Sequence, residues 1–456
     1  MIRVLFLSMS ILRVERSEKD LSRILNSLIL SLFLFSLQTT PSYGEGETNQ
    51  PYVRVLINSP FMYSSPRIKC DTEICLSLLS LIRDAESTID FAVYGLRGQN
   101  IILDALIDAE ERGVMVRGVI DKDTSNANYY LDTHLLESKL HHVRSDYYQD
   151  LKTAQYADSN PRKYKDKCER PSGHKGPLQC FEGKGYASRE ILTFKGDLMH
   201  NKFFIVDSKY VWTGSSNISD TGTGGYNANV VALIRSDILA KSYSIEFEQM
   251  FHGDFHRAKK KLKKQNIEVV IDDQTVNLFF SPQGYPMYRG VIPMIREAGN
   301  TIDVAVFFLT HKNVAKELVR AKKRGVSVRV ILDATAATNG YSKHNYLREH
   351  GIPVKVENWG GKMHMKSALI DGKHLIIGSM NWTGAGESKN DENTLIIRDA
   401  RDAPLYKTFY NKMWNSISDE WLGDDPMAES WESGSSCEDG IDNDFDQLVD
   451  RNDEGC

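Results

Sequence analysis

The chain has 456 residues, of which 41% are hydrophobic and 26% are charged. This length excludes a protein with one small core and predicts two or three domains. The formal net charge of −5 is divided unevenly, because residues 419–456 carry −13 whereas residues 45–418 carry about +6. A mildly basic body suits an anionic phosphate substrate, although an ordinary lysine-bearing surface would have the same charge.

Residues 1–44 have the order of a secretory signal peptide. Basic residues precede an apolar run at residues 24–37, and a stretch of turn-forming and small residues follows, with cleavage expected near Gly44. The apolar run of about 14 residues is short for a membrane-spanning helix, which needs about 20. We therefore expect a soluble protein that is secreted or periplasmic, with a membrane anchor as the alternative.

The six cysteines agree with an oxidising compartment. They fall into three pairs that are close in sequence, and no Cys-x2-Cys pair indicates a metal site built from thiolates. We predict three local disulfide bonds, which are Cys70–Cys75, Cys168–Cys180 and Cys437–Cys456.

An internal repeat covers most of the chain. Residues 82–121 are similar in sequence to residues 295–333, and each segment reads as the end of a helix, an apolar strand, an amphipathic helix and a second strand. The predicted strands are residues 89–94 and 114–120 in the first segment, and residues 302–308 and 326–332 in the second. Strands that alternate with helices of this length predict an α/β sheet built from crossover units. We expect one domain at residues 45–270 and another at residues 271–418.

The first copy of the repeat contains an insertion of 48 residues between its second strand and the motif described below. The inserted loop lies at about residues 124–195 and is rich in tyrosine, with scattered lysine, arginine and proline. A long polar and aromatic loop beside a catalytic motif predicts a lid or a substrate-binding element, and a surface excursion without function is the alternative. The tyrosines of this segment are Tyr129, Tyr130, Tyr147, Tyr148, Tyr156, Tyr164 and Tyr186.

The pattern His-x-Lys-x4-Asp-x6-Gly-Ser-x-Asn occurs once in each copy with the same internal spacing. The His and the Lys are two residues apart, so both side chains would point to one face of a strand. The Gly-Ser pair predicts a tight turn that presents the Ser hydroxyl and the Asn amide beside the same pocket. The first motif consists of His200, Lys202, Asp207, Gly214, Ser215 and Asn217. The second motif consists of His364, Lys366, Asp371, Gly378, Ser379 and Asn381.

Two imidazoles, two ammonium groups and two amides match the needs of phosphodiester cleavage through a covalent intermediate. If both motifs face one cleft, one imidazole can attack phosphorus while the other protonates the leaving alkoxide. The lysines, asparagines and serines of both motifs are the candidate ligands of the non-bridging phosphate oxygens. The motif contains no evident set of metal ligands, so we expect catalysis without a metal or another cofactor.

The motif resembles the HKD signature of the phospholipase D superfamily, and the repeat that carries it covers about residues 55–418. The resemblance implies two α-β-α sandwich domains related by a pseudo-twofold axis, with the active site at their interface and within one chain. It implies catalytic roles for the His, Lys and Asp of both motifs, and a phosphohistidine intermediate. By the same resemblance His200 is the nucleophile and His364 is the general acid, although the reverse assignment stays open.

The segment NDENTLII, which follows the second motif, is similar to the NxEN segment of nuclease-like members of the superfamily. In those members the glutamate orients a motif histidine, and it corresponds to Glu392. The first copy reads GGYNANVVALI, with Asn229 where the glutamate would stand. The resemblance therefore assigns a partner to one histidine and leaves the partner of the other open.

Beyond the predicted helix at residues 403–416 the chain becomes acidic, and residues 419–436 have the composition of a linker. Residues 437–456 form an Asp-rich motif with carboxylates at ligand positions of an EF-hand-like calcium loop. Gln447 replaces the turn glycine of such loops and Asp453 replaces the bidentate glutamate, and a solvated acidic tail is the alternative. We predict a structural Ca²⁺ site. Its candidate ligands are Asp442, Asp444, Asp446, Asp450 and Asp453.

The leading interpretation is an exported, monomeric phosphodiesterase of the phospholipase D type that hydrolyses phospholipid headgroups at a membrane surface and can transfer the phosphatidyl group to an alcohol. The alternative is a secreted metal-independent endonuclease, since the same residues would cleave nucleic acid. The basic body and the NxEN-like segment favour the nuclease. The export signal, the two motifs in one chain and the aromatic insertion favour the lipase. A cardiolipin-synthase-like transferase and a binding module without activity are disfavoured, because membrane helices are missing and both motifs are intact.

Overall fold

A computed structural model describes residues 50–122, 129–146, 197–260 and 267–456, together with the backbone of three short strands between residues 168 and 186. The predicted signal peptide and most of the predicted insertion lie outside these residues. In the described part of the chain, no helix combines the length and the apolar character that crossing a lipid bilayer requires.

The first half of the folded chain contains one large mixed sheet. Its elements in chain order are β1 (Tyr52–Asn58), α1 (Glu73–Asp84), β2 (Thr88–Val93), β3 (Leu96–Arg97), α2 (Asn100–Glu111), β4 (Met115–Ile120), α3 (Thr133–Lys139), β5 (Val143–Ser145), β6 (Cys168–Glu169), β7 (Gln179–Glu182), β8 (Gly185–Tyr186), β9 (Lys202–Val206), β10 (Tyr210–Gly214), β11 (Ile218–Ser219), β12 (Asn229–Arg235) and α4 (Asp237–Phe251). Seven strands form the sheet in the order β1-β12-β10-β9-β2-β4-β5.

The second half repeats this arrangement. Its elements in chain order are β13 (Ile267–Ile271), β14 (Gln274–Ser281), α5 (Ile292–Glu297), β15 (Thr301–Val306), α6 (Lys312–Lys323), β16 (Ser327–Leu332), α7 (Ala334–Ala337), α8 (His344–Glu349), β17 (Val354–Val356), β18 (Lys366–Ile370), β19 (His374–Gly378), α9 (Gly384–Ser388), β20 (Glu392–Arg398) and α10 (Ala403–Ser416). Eight strands form a sheet in the order β13-β14-β20-β19-β18-β15-β16-β17. Apart from the additional edge strand β13, the two sheets match strand for strand, which confirms the internal repeat.

The strand directions follow from the connections. β2 and β4 are parallel because α2 joins them by a crossover, and β15 and β16 are parallel because α6 does the same. These strands are apolar almost throughout, since both faces of each sheet are covered. In β2, Ile89, Phe91 and Ala92 are all fully buried. Gly118 stands opposite Phe91 in β4, where a Cβ atom would lie 2.2 Å from the aromatic ring.

Three hydrophobic cores hold the layers together. One core joins the outer face of the first sheet to α1 and α2 through residues such as Leu78 and Leu106. A second core joins the outer face of the second sheet to α6 through residues such as Leu318. The third core combines residues from both sheets with Phe247 of α4 and Tyr410 of α10. Each sheet therefore has helices on both faces, and the predicted pair of α-β-α sandwiches is confirmed.

Two of the three predicted disulfide bonds are present, namely Cys70–Cys75 and Cys437–Cys456. The backbones of Cys168 and Cys180 stand opposite each other on β6 and β7, but their side chains are outside the described part of the chain. That third disulfide bond stays a prediction.

The segment with the composition of a linker, residues 419–436, is packed against the second half. Glu429 and Ser433 are fully buried, and Ala428 contributes to the second core. The side-chain amide of Asn358 donates a hydrogen bond to the carbonyl of Glu432 over 3.0 Å. The acidic C-terminal residues are therefore brought back onto the body of the protein.

Candidate active site

The two halves of the chain are joined by a backbone seam at the two motif histidines. The residue before each histidine forms a bridge with the other half, which pairs Met199 with Asp391 and Met363 with Ala228. The amide of His200 donates to the carbonyl of Asp391, and the amide of His364 donates to that of Ala228, each over 3.0 Å. The fold thus brings both motifs together, as the sequence predicts.

Each histidine ring takes its partner from the opposite half. Nδ1 of His200 lies 2.9 Å from both carboxyl oxygens of Glu392, which begins the strand β20. Nδ1 of His364 lies 3.1 Å from Oδ1 of Asn229, which begins the strand β12. Both rings are buried, with 6% and 7% of their surface exposed. The partner that sequence reasoning could not assign to His364 is therefore the asparagine that replaces the glutamate.

The motif serines hold these partners in place. The hydroxyl of Ser379 donates to Glu392 over 2.7 Å, and the hydroxyl of Ser215 donates to Asn229 over 2.8 Å. Because both hydroxyl hydrogens are engaged in this way, the structure places the serines behind the histidine partners. The predicted contact of these two side chains with phosphate is not part of this arrangement.

The two motif lysines are fully buried beside the histidines. The ammonium of Lys202 donates to the carbonyl of His200 over 2.7 Å, and the ammonium of Lys366 donates to that of His364 over 2.6 Å. Burial lowers the pKa of Lys202 to about 7 and the pKa of Lys366 well below its usual value. In the described part of the chain neither lysine nitrogen forms a hydrogen bond to a carboxylate, so both are available to an anion when they are protonated.

Burial also lowers the pKa of both histidines well below 6.5. The ammonium groups of Lys202 and Lys366 lower the pKa of each ring further. The opposite holds for Glu392, because burial raises the pKa of its carboxyl to about 8 against the influence of Lys202. The cluster therefore holds few protons and few net charges until an anion enters it.

The motif asparagines lie in the same region. Asn217 and Asn381 each have a buried Oδ1 atom without a hydrogen-bond partner among the described residues. A half-turn of the amide group exchanges Oδ1 with Nδ2, which can donate to a phosphate oxygen. Nδ2 of Asn217 donates to the hydroxyl of Tyr130.

The motif aspartates lie elsewhere. Asp207 follows β9 and accepts hydrogen bonds from the amides of Ser87 and Thr88 over 2.7 and 3.0 Å. Asp371 follows β18 and accepts from three successive amides at residues 299–301. Burial alone would raise the pKa of both carboxyls, but these hydrogen bonds outweigh it, so the pKa of each is lowered. The structure therefore does not bring the two aspartates to the histidines; they fasten the loops that lead into β2 and β15.

A different pair of aspartates supports the histidines. Asp121, after β4, accepts the amide of Met199 over 2.8 Å, and Asp333, after β16, accepts the amide of Met363 over 3.0 Å. Both carboxyls are fully buried. Sequence reasoning missed this role, although the two residues occupy equivalent positions in the repeat.

Aromatic rings complete each motif, and here the halves differ. The ring centroid of Tyr94 lies 4.8 Å from that of His200, and Phe307 takes the equivalent place 5.2 Å from His364. Tyr130, from the start of the predicted insertion, packs on Gly95, where a Cβ atom would lie 2.6 Å from the tyrosine. The second half has the bulky Phe308 after Phe307, where the first half has Gly95 after Tyr94. The first half therefore has room for a tyrosine that has no equivalent in the second half.

The acidic C-terminal residues form a compact cluster. Carboxylate oxygens lie within 4.8 Å of one another in two overlapping groups, which are Glu429 with Asp442 and Asp444, and Asp444 with Asp446 and Asp453. Gln447 has φ +79°, the left-handed conformation that a turn glycine would adopt at this position. Asp450 is oriented differently and accepts the amides of Asp439 and Gly440. Four of the five predicted ligands therefore come together, and Glu429 was not predicted.

Comparison with known proteins agrees with the geometry. The family described as "Cardiolipin synthase, PLD-like domain" matches residues 78–251 and 291–414. A mitochondrial cardiolipin hydrolase of Chlamydomonas reinhardtii is 31% identical over 118 residues, which are 26% of this chain and 53% of that protein. A phospholipase D of Rickettsia felis is 30% identical over 146 residues, which are 32% of this chain and 72% of that protein. The chain thus spans about half the length of the hydrolase.

Among solved structures, the phosphatidylserine synthase of Haemophilus influenzae has a similar fold. The TM-score is 0.52, and the similarity covers 82% of this chain and 91% of that one at 14% sequence identity. At this identity the comparison concerns the fold alone. It extends over both halves, in agreement with two matching sheets in one chain.

Proposed function

Because the chain belongs to the phospholipase D superfamily, we propose that it is an exported phosphodiesterase that hydrolyses phospholipid headgroups through a phosphohistidine intermediate. The observation that carries this proposal is the meeting of His200 and His364 at one seam, each with Nδ1 held by a side chain of the other half. This leaves Nε2 of each ring as the atom for chemistry.

In the first step, Nε2 of His200 attacks phosphorus and the bond from phosphorus to the headgroup oxygen breaks. His364, which becomes protonated when the phosphate anion is bound, gives its Nε2 proton to that oxygen, so the headgroup leaves as an alcohol. In the second step, His364 takes a proton from water as the water attacks the phosphohistidine. Phosphatidic acid leaves and His200 is restored. An alcohol in place of water would give transfer of the phosphatidyl group.

The unequal partners support this assignment of roles. A phosphorylated imidazole that keeps its Nδ1 proton is positively charged, and the carboxyl of Glu392 can stabilise that charge on His200. The amide of Asn229 gives His364 no such compensation, which makes its protonated ring the stronger acid. The buried ammonium groups of Lys202 and Lys366 and the amides of Asn217 and Asn381 would hold the non-bridging oxygens.

A lipid substrate is supported by the relatives, whose names describe a phospholipase D and a cardiolipin hydrolase. The test is an assay of the protein from residue 45 onwards on vesicles of phosphatidylcholine, phosphatidylglycerol or cardiolipin, and on single- and double-stranded DNA. We expect release of headgroup and phosphatidic acid. Cleavage of DNA without cleavage of lipid would replace this proposal with the endonuclease alternative.

The covalent intermediate can be tested directly. Substrate labelled at phosphorus, quenched during turnover, should leave an acid-labile and base-stable label on His200. On labelled bis(p-nitrophenyl) phosphate, whose leaving group needs no proton, the variant His364→Ala should retain more label than the wild type, because hydrolysis of the intermediate needs its ring as a base. A label on His364 instead would reverse the assignment, and no label in either protein would contradict the intermediate.

Export and a single-chain active site are part of the same proposal. The two disulfide bonds are compatible with an oxidising compartment. Amino-terminal sequencing of the exported protein should show removal of residues 1–44. Specific activity should not change on dilution, because both histidines and both partners belong to one chain. Activity that falls with dilution would indicate an oligomeric enzyme.

We further propose that the C-terminal cluster binds Ca²⁺ as a structural ion. Asp442, Asp444, Asp446 and Asp453, with Glu429, supply the carboxylate oxygens that this hard cation prefers. Addition of Ca²⁺ to chelator-treated protein should raise the melting temperature. The double variant Asp444→Asn/Asp446→Asn should lose this response, and an equal response in both proteins would remove the site.

A further inference from the structure

The disulfide-closed loop at residues 437–456, here called the C-terminal loop, lies across the seam between the two halves. From the first half, the hydroxyl of Tyr226 donates to Asp439 over 2.5 Å. From the second half, the hydroxyl of Thr335 donates to the carbonyl of Asn443 over 2.6 Å. Tyr226, Asp439 and Asn443 are all buried. The loop is therefore packed into the molecule on the side where the second motif begins.

Close packing of the segment before the second motif makes this contact feasible. A Cβ atom at Gly360 would lie 2.1 Å from the hydroxyl of Tyr226 and 2.6 Å from that of Ser435. Only a residue without a side chain allows these two groups to approach. Lys362 follows Gly360 by two residues, and His364 follows Lys362 by two more. The C-terminal loop therefore packs against the segment that immediately precedes His364.

Lys362 also contacts the C-terminal loop. Its ammonium donates to the carbonyl of Asn443 over 2.6 Å and to the hydroxyl of Thr335 over 2.9 Å. The ring of Phe445 lies over the same ammonium at 4.4 Å. These three contacts, two of them from the C-terminal loop, fix the orientation of a long side chain that would otherwise be mobile.

The fixed ammonium acts on His364. Burial lowers the pKa of His364, and the charges that lower it further are those of Lys366, Lys202, His200 and Lys362, in decreasing order. The backbone is involved as well, because the carbonyl of Lys362 accepts the amides of His364 and of Ala228 over 2.9 Å. The equivalent position in the first half is Leu198, so the two copies differ in charge at this position.

We propose that the C-terminal loop holds Lys362 in place as a third cation for the substrate on the His364 side. Lys362 then determines specificity, because its charge favours a leaving alcohol without positive charge over a cationic one such as choline. This inference rests on the proposed phosphodiesterase function for its substrate class. The placement of Lys362 by the loop is independent of that function.

Binding of inorganic phosphate, measured by calorimetry, tests the placement without turnover. We expect Lys362→Met to weaken binding about five- to twentyfold and Phe445→Ala, which removes an exposed ring, to weaken it about two- to fivefold. The double variant should bind no more weakly than Lys362→Met alone, because Phe445 acts through the lysine. The control is Lys373→Met, which removes an equal charge in the turn after Asp371. Full additivity, or equal affinities throughout, would overturn the proposal.

The pH profile of turnover on bis(p-nitrophenyl) phosphate separates positioning from loss of structure. Removal of the charge in Lys362→Met raises the pKa of His364, so the pH optimum should move upwards, while Lys362→Arg should keep it. The preference for phosphatidylglycerol over phosphatidylcholine should fall in Lys362→Met. An unmoved optimum and an unchanged preference would contradict the proposal. A wild-type protein inactive on every phosphodiester would refute the proposed function, and the phosphate-binding comparison would still decide the role of the C-terminal loop.

Discussion

The two halves of this protein share their backbone and differ around their histidines. Both have the same strand order, the same buried lysine on the carbonyl of its histidine, and the same aspartates that fasten loops. The differences are in side chains that touch or approach the imidazoles. They are Glu392 against Asn229, Tyr94 against Phe307, Gly95 against Phe308 and Leu198 against Lys362. A duplicated scaffold has thus kept its framework while the two rings acquired different surroundings.

In the proposed mechanism, this difference would allow the two copies of one motif to take different roles. A nucleophile and a general acid need different proton affinities, and identical surroundings would give both rings the same one. Here a carboxyl serves one ring and an amide serves the other. Variants of the histidines and of the side chains around them test this difference between the two rings, and the largest effect is expected for the histidines themselves.

Removal of either imidazole should abolish most activity on lipid. We expect His200→Ala and His364→Ala each to lower kcat by about 10³-fold or more, because one lacks the nucleophile and the other the acid. The substrate bis(p-nitrophenyl) phosphate distinguishes the two losses, because its leaving group needs no proton. His364→Ala should release p-nitrophenol in a burst and His200→Ala should not. Equal bursts would contradict the division of roles.

Exchange of the partners should have a smaller but unequal effect. Glu392→Gln removes the carboxyl that stabilises the intermediate, and we expect kcat to fall about 10²-fold. Asn229→Glu gives both histidine rings a carboxyl partner. A carboxylate near His364 should raise the pKa of that ring and move the pH optimum upwards. Ser379→Ala serves as a control that keeps the carboxyl but loosens it. A larger loss in Asn229→Glu than in Glu392→Gln would contradict the assignment.

The motif aspartates should affect stability in both halves alike. Asp207→Ala and Asp371→Ala each leave backbone amides without an acceptor, which should cost about 1–3 kcal/mol in the free energy of unfolding. Urea denaturation measures this loss. The value of kcat for the folded fraction should stay near that of the wild type, since neither carboxyl reaches the histidines. A loss of kcat with unchanged stability would restore a catalytic role.

The smallest effect should come from Tyr130, which has no equivalent in the second half. Tyr130→Phe keeps the ring over Gly95 but removes the hydroxyl that Asn217 contacts. We expect KM to change about two- to fivefold with little change in kcat, because one neutral hydrogen bond is lost. Phe308→Tyr, which adds a hydroxyl in the second half, is the control and should have no such effect. A large fall in kcat for Tyr130→Phe would place the hydroxyl in the chemistry itself.

Much of the fold was accessible from the sequence, because the repeat and the alternation of strands and helices are local patterns. The remote position of Asp207 was accessible too: a strand advances about 3.3 Å per residue, so an aspartate five residues after Lys202 lies about 16 Å away. The sequence did not show that each histidine takes its hydrogen-bond partner from the other half. That pairing depends on how β12 and β20 reach across the seam, and nothing in the spacing of either motif encodes the docking of one half on the other.

The acidic end of the chain shows the same limit. The regular spacing of its aspartates identified four of the five residues that the structure brings together. Asp450 instead accepts the amides of Asp439 and Gly440, and Glu429 enters from a segment with the composition of a linker. The orientation of Asp450 and the approach of Glu429 both depend on tertiary structure, which composition does not describe.

The cross-partnered histidines also bear on how this gene can change. Repeats within one gene are prone to conversion, in which one copy overwrites the other. Here a copy of the second half written over the first would place a glutamate at Asn229 and a phenylalanine at Gly95, and the reverse event would place an asparagine at Glu392. Either overwritten product would give both histidines the same kind of partner. Selection against such products would keep the copies distinct in sequence while the shared framework keeps them alike in shape.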